Sequence, residues 1–330
     1  MKILVTGGLG FIGSHTSVVL LEAGYEVVII DNLSNSKIEV LDNIKKITNK
    51  NPTFYQVDCC DLQACEKIFE REQFTGIIHF AGLKAVGESV EKPLLYYENN
   101  IGSSIVLLKC ALRYHVPRFV FSSSATVYGE NEAPFYEEMT LLPTTNPYGE
   151  TKKIIERILI DTAKAAPFLE VTLLRYFNPV GAHPSGLIGE DPSGIPNNLM
   201  PYITRVAKGI LKELQVFGND YPTVDGTGIR DYIHVMDLAE GHLVALEKSR
   251  IGVSIFNLGT GKGVSVLELI QAFEKVNNVK VPYRIVPRRA GDIATCYADA
   301  TKAKKVWGWQ TKRTVEDMVR DAWYYEKKKK

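Results

Sequence analysis

Residues 2–15, KILVTGGLGFIGSH, restrict the fold more than any other stretch of the chain. A compact β-branched run meets glycines at 7, 10 and 13, then helical spacing in SHTSVVLLEAG and a second apolar run, YEVVIID, at 25–31. Strand, tight turn, helix and strand within about 30 residues is what a parallel βαβ unit requires. The pattern recurs. TFYQVD (53–58), GIIHFAG (76–82), RFVFSSS (118–124) and EVTLLRYFN (170–178) read as strands. LQACEKIFERE (62–72) reads as a helix, and another is expected from near Tyr148 to Ala166, stopping before Pro167. Near-continuous apolar strands alternating with amphipathic helices predict a doubly wound parallel α/β sheet of the Rossmann kind, buried on both faces.

After Asn178 the texture changes. PVGAHPSGLIGEDPSGIPNN (179–198) is rich in glycine and proline and reads as a long loop, the kind usually kept for function. DYIHVMD (231–237), IFNLG (255–259) and a helix from about Ser265 to Val276 follow. The 330 residues exceed what one core usually serves. The expected division is a dinucleotide-binding domain over 1–178 and a smaller α/β substrate-binding domain over 179–330, with some elements returning to the first. No internal repeat is visible.

Charge removes some partners. With 39 basic against 38 acidic side chains, nothing attracts a phosphodiester backbone, so nucleic acid is not expected. The run Lys327–Lys330 reads as a solvated helix end. Apolar runs such as VVII at 27–30 fall far short of a membrane span, and MKILVTGG lacks the apolar core of a secretory signal. The cysteines at 59, 60, 65, 110 and 296 form no Cys-x-x-Cys pair, and the six histidines are scattered, so no metal site is expected and a reducing cytoplasm fits best.

The glycines Gly7, Gly10 and Gly13, lying between strand and helix, let a backbone approach a pyrophosphate that the helix N-terminus would favour. Asp31, 18 residues after Gly13, can accept from ribose hydroxyls and would repel a 2′-phosphate, so NAD is favoured over NADP. A tight turn with a capping aspartate is the plainer reading of the same residues. FSSSATVYG (121–129) ends a strand at the sheet's carboxyl edge, and NPYGETK (146–152) places Tyr148 and Lys152 on one helical face. A free tyrosine has a pKa of about 10. A neighbouring ammonium and a nicotinamide cation would favour its phenolate, and Ser124 can bond the same substrate hydroxyl. A helix-start pair and a polar strand end would produce the same letters. No G-x-S-x-G elbow points to a hydrolase.

The glycine spacing and the Ser–Tyr–Lys order resemble the extended short-chain dehydrogenase/reductase family. SSSATVYG, NPYGETK, RYFNPVGAHPSG, PNNLMPYI, FGNDYPTVDGTGIRDYIHVMDLA, FNLGTGKGVSVLE and RRAGDIATCYAD resemble its UDP-glucose 4-epimerases over essentially the whole chain. The resemblance implies reversible epimerisation at C4 of UDP-glucose and UDP-galactose through a 4-keto sugar, as in galactose metabolism and nucleotide-sugar supply. It implies tightly bound, recycled NAD and a homodimer formed by the Tyr148 helix and the helix near 100–113. Catalysis would fall to Tyr148, Ser124 and Lys152. Cofactor contacts would fall to Gly7, Gly10, Phe11, Ile12, Gly13, Asp31, Asn32, Asn35, Ser36, Asp58, Cys59, Phe80, Ala81, Gly82, Lys84, Ser122 and Phe177. Asn99 would be the family's stabilising asparagine as well as a cofactor contact. Asn178, Asn198 and Leu199 would meet the nucleotide sugar, Val216 and Phe217 the uracil, Arg230 and Arg289 the diphosphate, and Asp292 the uridine ribose. If GIRDYIHV stood alone, a surface ion pair with Asp231 would be the better reading of Arg230.

Cys296 stands where some of these epimerases carry tyrosine. The smaller side chain implies room for an N-acetyl group and hence action on UDP-GlcNAc and UDP-GalNAc; a small core thiol is the plainer reading. A 4,6-dehydratase of this type carries an Asp-Glu pair after the strand-end Ser/Thr, where this chain has Ala125 and Thr126. A non-catalytic dinucleotide sensor needs no Ser–Tyr–Lys set.

Overall fold

The computed structural model describes residues 1–330 except Ser193, Ile195, Asn197, Ala290 and Lys330. In chain order its first elements are β1 (Lys2–Thr6), α1 (Phe11–Glu22), β2 (Glu26–Ile30), α2 (Glu39–Thr48), β3 (Thr53–Tyr55), α3 (Leu62–Arg71) and β4 (Gly76–His79). The short helices α4 (Val86–Glu91) and α5 (Pro93–Tyr96) lead through a π-helical turn (Tyr97–Ile101) into α6 (Gly102–Arg113). Then come β5 (Arg118–Ser124), a 3-10 turn (Ala125–Tyr128), α7 (Pro147–Ala165), β6 (Glu170–Tyr176) and β7 (Asn178–Val180). The remainder is α8 (Leu199–Ala207), β8 (Leu214–Phe217), β9 (Ile229–Arg230), β10 (Tyr232–His234), α9 (Val235–Glu247), β11 (Gly252–Leu258), β12 (Val264–Ser265), α10 (Val266–Asn277), β13 (Tyr283–Val286), β14 (Thr295–Cys296), α11 (Thr301–Trp307) and α12 (Val315–Lys328).

Seven strands form one sheet in the order β11-β6-β5-β4-β1-β2-β3. β1 pairs in parallel with β2 and with β4, which places the switch of winding direction between β1 and β4. Ligands of open α/β sheets bind outside the carboxyl ends of the strands at such a switch, here just beyond Thr6 and His79. Ile3, Leu4, Val5, Ile77 and Ile78 are wholly buried, as expected of strands covered on both faces. α1 is buried almost all round despite Ser14, His15, Thr16 and Ser17. Three of these bond back to their own helix: Ser14 Oγ to Phe11 O at 3.1 Å, His15 Nδ1 with Phe11 O at 2.7 Å and Thr16 Oγ1 to Ile12 O at 3.0 Å. Polar side chains whose needs are met locally can sit in a core.

The chain forms two compact units without a single seam: 1–130, 140–175 and 239–256 make the first, and 131–139, 176–238 and 257–330 the second. β11 carries the chain back to the edge of the large sheet. The second unit is built from two-stranded pairings β10-β7 and β13-β8, a three-stranded sheet β12-β9-β14, and helices. Its core includes Ile203, Leu269, Phe273, Met318 and Trp323. The stretch expected as loop from 179 to 198 begins inside β7, and Ala182 bridges Gly189.

α7 is fixed to the sheet by a buried ion pair. Glu156 Oε1 accepts from Arg175 Nε at 2.9 Å and from Ser123 Oγ at 2.5 Å, while Oε2 accepts from Arg175 Nη2 at 2.7 Å. The guanidinium also lies 4.9 Å from the centroid of the Tyr128 ring. Both charged residues are 2% exposed, so water cannot replace either partner. Glu156→Gln is expected to lower the unfolding free energy in urea by about 3–5 kcal/mol, whereas Glu156→Leu with Arg175→Met should cost far less. A loss below about 1 kcal/mol for the single variant would show the pair to be solvated.

Candidate functional site

In the first unit, the glycines are fixed by close approach. Gly7 has φ +65°, and a Cβ there would lie 2.9 Å from Ala81 N. A Cβ on Gly13 would lie 2.2 Å from Gly7 O, so any side chain would force the turn away from the helix. Gly10 is the N-cap of α1, and no side chain caps that helix. The Phe11–Gly13 turn thus offers an anion a helix N-terminus with no competing side chain. Asp31 follows β2, with Oδ2 accepting from Leu9 N at 3.1 Å and Oδ1 from Leu33 N at 3.0 Å and Ser36 Oγ at 2.7 Å. Asn32 donates to Asp58 at 3.0 Å, and Asp58 is held below the usual carboxylate range by bonds from Cys60 and Asn32, against burial. Asn35, Gly82 and Lys84 are exposed, and the Phe80 ring lies 4.7 Å from that of His242, tilted by 51°. A helix N-terminus behind close-packed glycines, with a carboxylate beside it, suits a dinucleotide.

Cys59 is buried in the core, so its backbone is the part available to a cofactor. Of the two neighbouring asparagines, Asn100 is the one held inward by several bonds. Asn100 accepts from Leu83 N at 2.8 Å and donates to Leu83 O at 3.0 Å and Thr151 Oγ1 at 3.1 Å, tying the β4 turn to α7. The widened π turn swings Asn100 inward and leaves Asn99 half-buried beside it.

The chemical group is built by three local devices. Asn146 caps α7 by accepting from Gly149 N at 2.9 Å, and Pro147 fixes its first turn, which seats Tyr148 and then Lys152. A Cβ on Gly149 would meet Thr126 Cβ at 3.2 Å, so glycine lets α7 approach the turn after β5. Ser124, at the end of β5, accepts from Thr126 Oγ1 at 3.0 Å and from Thr126 N at 3.3 Å. Both donors being Thr126's, the Ser124 proton is left for the Tyr148 oxygen, and that bond lowers the phenol's pKa. Burial acts more strongly and raises it.

Lys152 is buried one turn along α7 from Tyr148. Its Nζ donates to Ser122 O at 2.6 Å and lies 5.9 Å from the Tyr148 ring centroid and 4.8 Å from that of Phe121. Burial pulls the ammonium down to about 8, partly countered by Glu156. Burial thus favours the protonated phenol of Tyr148, and a nearby cation would favour its phenolate.

In the second unit, Arg230, Arg289 and Asp292 come together. Arg289 Nε donates to Asp292 Oδ2 at 2.9 Å, and Arg230 Nη2 lies 3.8 Å from Asp292 Oδ1. The Arg289 guanidinium rests 4.7 Å from the Phe217 ring centroid. Asp231 is not the partner of Arg230. Its buried carboxylate accepts from Thr260 N at 2.9 Å, Thr260 Oγ1 at 2.6 Å, Gly261 N at 3.0 Å and Ala298 N at 3.2 Å. Cys296 on β14 is the parallel register partner of Arg230 on β9, and burial pushes its thiol up to about 12. Val216 departs from expectation: its side chain turns into the core, and Phe217 presents the half-exposed face of β8. Phe177 is buried 6.2 Å from Phe135, Asn178 is exposed, and Asn198 Nδ2 donates to Glu190 at 2.6 Å just before Leu199 opens α8.

The chain matches the family model described as GDP-mannose 4,6 dehydratase over residues 4–322. It is 57% identical over 328 residues to the UDP-glucose 4-epimerase of Bacillus subtilis, covering 99% of this chain and 97% of that protein. Among solved structures, the UDP-glucose 4-epimerase from Bifidobacterium longum in complex with NAD+ and UDP superposes with a TM-score of 0.97 at 52% identity, covering 99% of this chain and 98% of the other. The UDP-Glc/GlcNAc 4-epimerase from Campylobacter jejuni superposes with a TM-score of 0.85 at 38% identity over 99% of both chains.

Proposed function

The chain belongs to the UDP-glucose 4-epimerases, and on that premise we propose how its residues divide the work and which sugars it accepts. It is an NAD-dependent isomerase that interconverts UDP-glucose and UDP-galactose at C4. NAD, when bound, would supply the hydride acceptor and donor for the sugar carbon. The rest of the chemistry concerns the oxygen on that carbon, and it falls to this chain. Tyr148 takes the 4-hydroxyl proton and later gives it back, and Ser124 donates to the developing charge on the same oxygen. Lys152, anchored on Ser122 O, holds the nicotinamide ribose. We assign dinucleotide binding to the first unit and the nucleotide handle to the second. There Arg230 and Arg289 hold the diphosphate by forked, charge-assisted bonds, Asp292 receives the ribose hydroxyls, and Phe217 packs on uracil. Asn178, Asn198 and Leu199 line the sugar and diphosphate.

What supports these roles is the pair of bonds from Thr126 N and Oγ1 to Ser124 Oγ, which leaves the serine proton to be donated elsewhere, toward the phenol. Tyr148→Phe should lower kcat for UDP-galactose by about 10²–10⁴-fold, with near-normal UDP binding. Wild-type turnover in that variant, measured by coupled UDP-glucose formation, would remove Tyr148 from the mechanism.

The substrate range extends, in our reading, to UDP-GlcNAc and UDP-GalNAc. Cys296 shares a register position with Arg230, so its side chain projects beside the arginine assigned to the diphosphate. A thiol held near 12 is a neutral spacer, which makes its contribution steric. The similarity to the UDP-Glc/GlcNAc 4-epimerase of Campylobacter jejuni supports the wider range. Cys296→Tyr is expected to lower kcat/KM for UDP-GalNAc by about 10–200-fold while sparing UDP-galactose. A wild-type enzyme inert toward UDP-GalNAc would end the proposal.

We further propose a homodimer working in the reducing cytoplasm, the compartment that five free cysteines fit. In the first unit Val86, Val90, Leu94 and Leu95, on the segment before α6, and Ile105 within α6 are exposed, Leu94 by 72%. Such an apolar patch suits an interface between copies. Sedimentation equilibrium should give twice the 36.8 kDa chain mass, and a single-chain mass at micromolar concentration would dismiss the dimer.

A further inference from the structure

We propose that His79 is a positioning residue for the epimerisation, the centre of a one-way hydrogen-bond relay that fixes the Tyr148 end of α7 against the strand from which the glycine loop springs. The inference rests on Tyr148 being the acid/base group.

The relay is continuous. Ala81 N donates to Thr6 Oγ1 at 3.4 Å, and Thr6 Oγ1 lies 2.8 Å from His79 Nδ1. His79 Nε2 lies 3.0 Å from Ser104 Oγ, which donates to Asn100 O at 2.8 Å. Asn100 Nδ2 donates to Thr151 Oγ1 at 3.1 Å, and Thr151 Oγ1 donates to Tyr148 O at 2.7 Å. Thr6, His79, Asn100, Ser104 and Thr151 are each at most 2% exposed, so no water can substitute for a lost link.

Its direction is forced from the far end. Carbonyl oxygens only accept, so Thr151 must give its proton to Tyr148 O and Ser104 must give its proton to Asn100 O. Ser104 Oγ can then only accept from His79, which puts the ring proton on Nε2. Nδ1 is left bare and accepts the Thr6 hydroxyl proton. Burial, and then the charge of Lys152, hold the ring neutral by pulling it down to about 3. A neutral ring with one fixed tautomer keeps every link pointing from β1 toward Tyr148.

The π-helical turn explains why a relay is needed. Asn100 sits in that widened turn, where the regular ladder of an α-helix is interrupted. Side-chain bonds from Ser104 and to Thr151 take over the work of fixing it. Tyr148 is therefore placed relative to Thr6, and so to Gly7, through discrete bonds rather than through packing alone. Displacement of a catalytic group by an ångström is enough to slow a reaction markedly.

The test compares Thr6→Val, which keeps shape and loses the donor, with Thr6→Ser, which keeps the donor, and adds Ser104→Ala. Each is purified as holoenzyme, its melting temperature and NAD content are checked, and rates are measured with UDP-galactose. Thr6→Val and Ser104→Ala should each lower kcat by about tenfold with KM within about twofold of wild type. Thr6→Ser should keep wild-type kcat, and the double variant should lose no more than the worse single one. Wild-type kcat in folded Thr6→Val overturns the relay. So does an equal loss in Thr6→Ser, or a loss confined to KM. Should Ser104→Ala fail to fold, the Thr6 pair decides alone. An active Tyr148→Phe would remove the premise, whereas an inactive one beside unaffected relay variants would remove only the relay.

Discussion

The bidentate pair between Glu156 and Arg175 sets the position of the helix on which the chemistry depends. Two buried charges tolerate only a geometry that satisfies most of their donors and acceptors. That condition is met by two bonds from Arg175 and one from Ser123, which join α7 to β6 and β5 at one point. Lys152 lies one helical turn before Glu156 and Tyr148 two turns before it. Ser124 follows the serine that Glu156 binds. The helix cannot slide or roll without breaking the pair, so the spacing of phenol, ammonium and serine is inherited from it. A fully apolar contact at the same place would hold the helix down but would not fix its register.

What could be read from the sequence was whatever is specified locally. Gly13 owes its identity to the backbone of Gly7 and Gly8 a few residues away, whereas Gly7 is also pressed by Ala81 from the turn after β4, so only part of the loop is specified locally. Asn146 and Pro147 announce the start of α7, and the seven-residue strand 118–124 is found with the bounds its letters suggest. Long-range facts stayed hidden. Nothing in residues 239–258 says that α9 belongs to the first unit or that β11 joins the large sheet edge. Glu156 and Arg175 look like ordinary surface charges until the fold encloses them. α2 was missed because VLDNIKKIT buries only Ile44, too little apolar pattern to stand out from a polar loop.

Side-chain direction was the other blind spot. Val216 and Phe217 both fit a uracil contact by position, yet alternation along β8 sends one into the core. The difference between Asn99 and Asn100 has a similar origin. A π turn widens the helical period there, which turns Asn100 inward beside Asn99. Asp231 illustrates the converse. Beside Arg230 in sequence it looks like a salt-bridge partner, but three backbone amides and a hydroxyl already occupy it. Arg230 is thereby turned to Asp292, which also takes Arg289, and the two guanidiniums converge.

The family model describes a dehydratase, while the relatives that match over the full chain are epimerases, and the shared fold cannot separate them. The turn after β5 can. Elimination of water across the sugar requires an acid and a base of its own, beyond the groups that handle the 4-oxygen. Here the residues after Ser124 are Ala125, which has no proton to move, and Thr126, whose hydroxyl and amide are both committed to Ser124 Oγ. Thr126 thus serves the serine rather than the substrate's outer carbons. With no carboxylate in the turn, the site has no acid/base pair for elimination, only the groups that would hold and move the proton of the 4-oxygen. The turn that keeps Ser124 oriented toward Tyr148 is also the one that confines the enzyme to inversion.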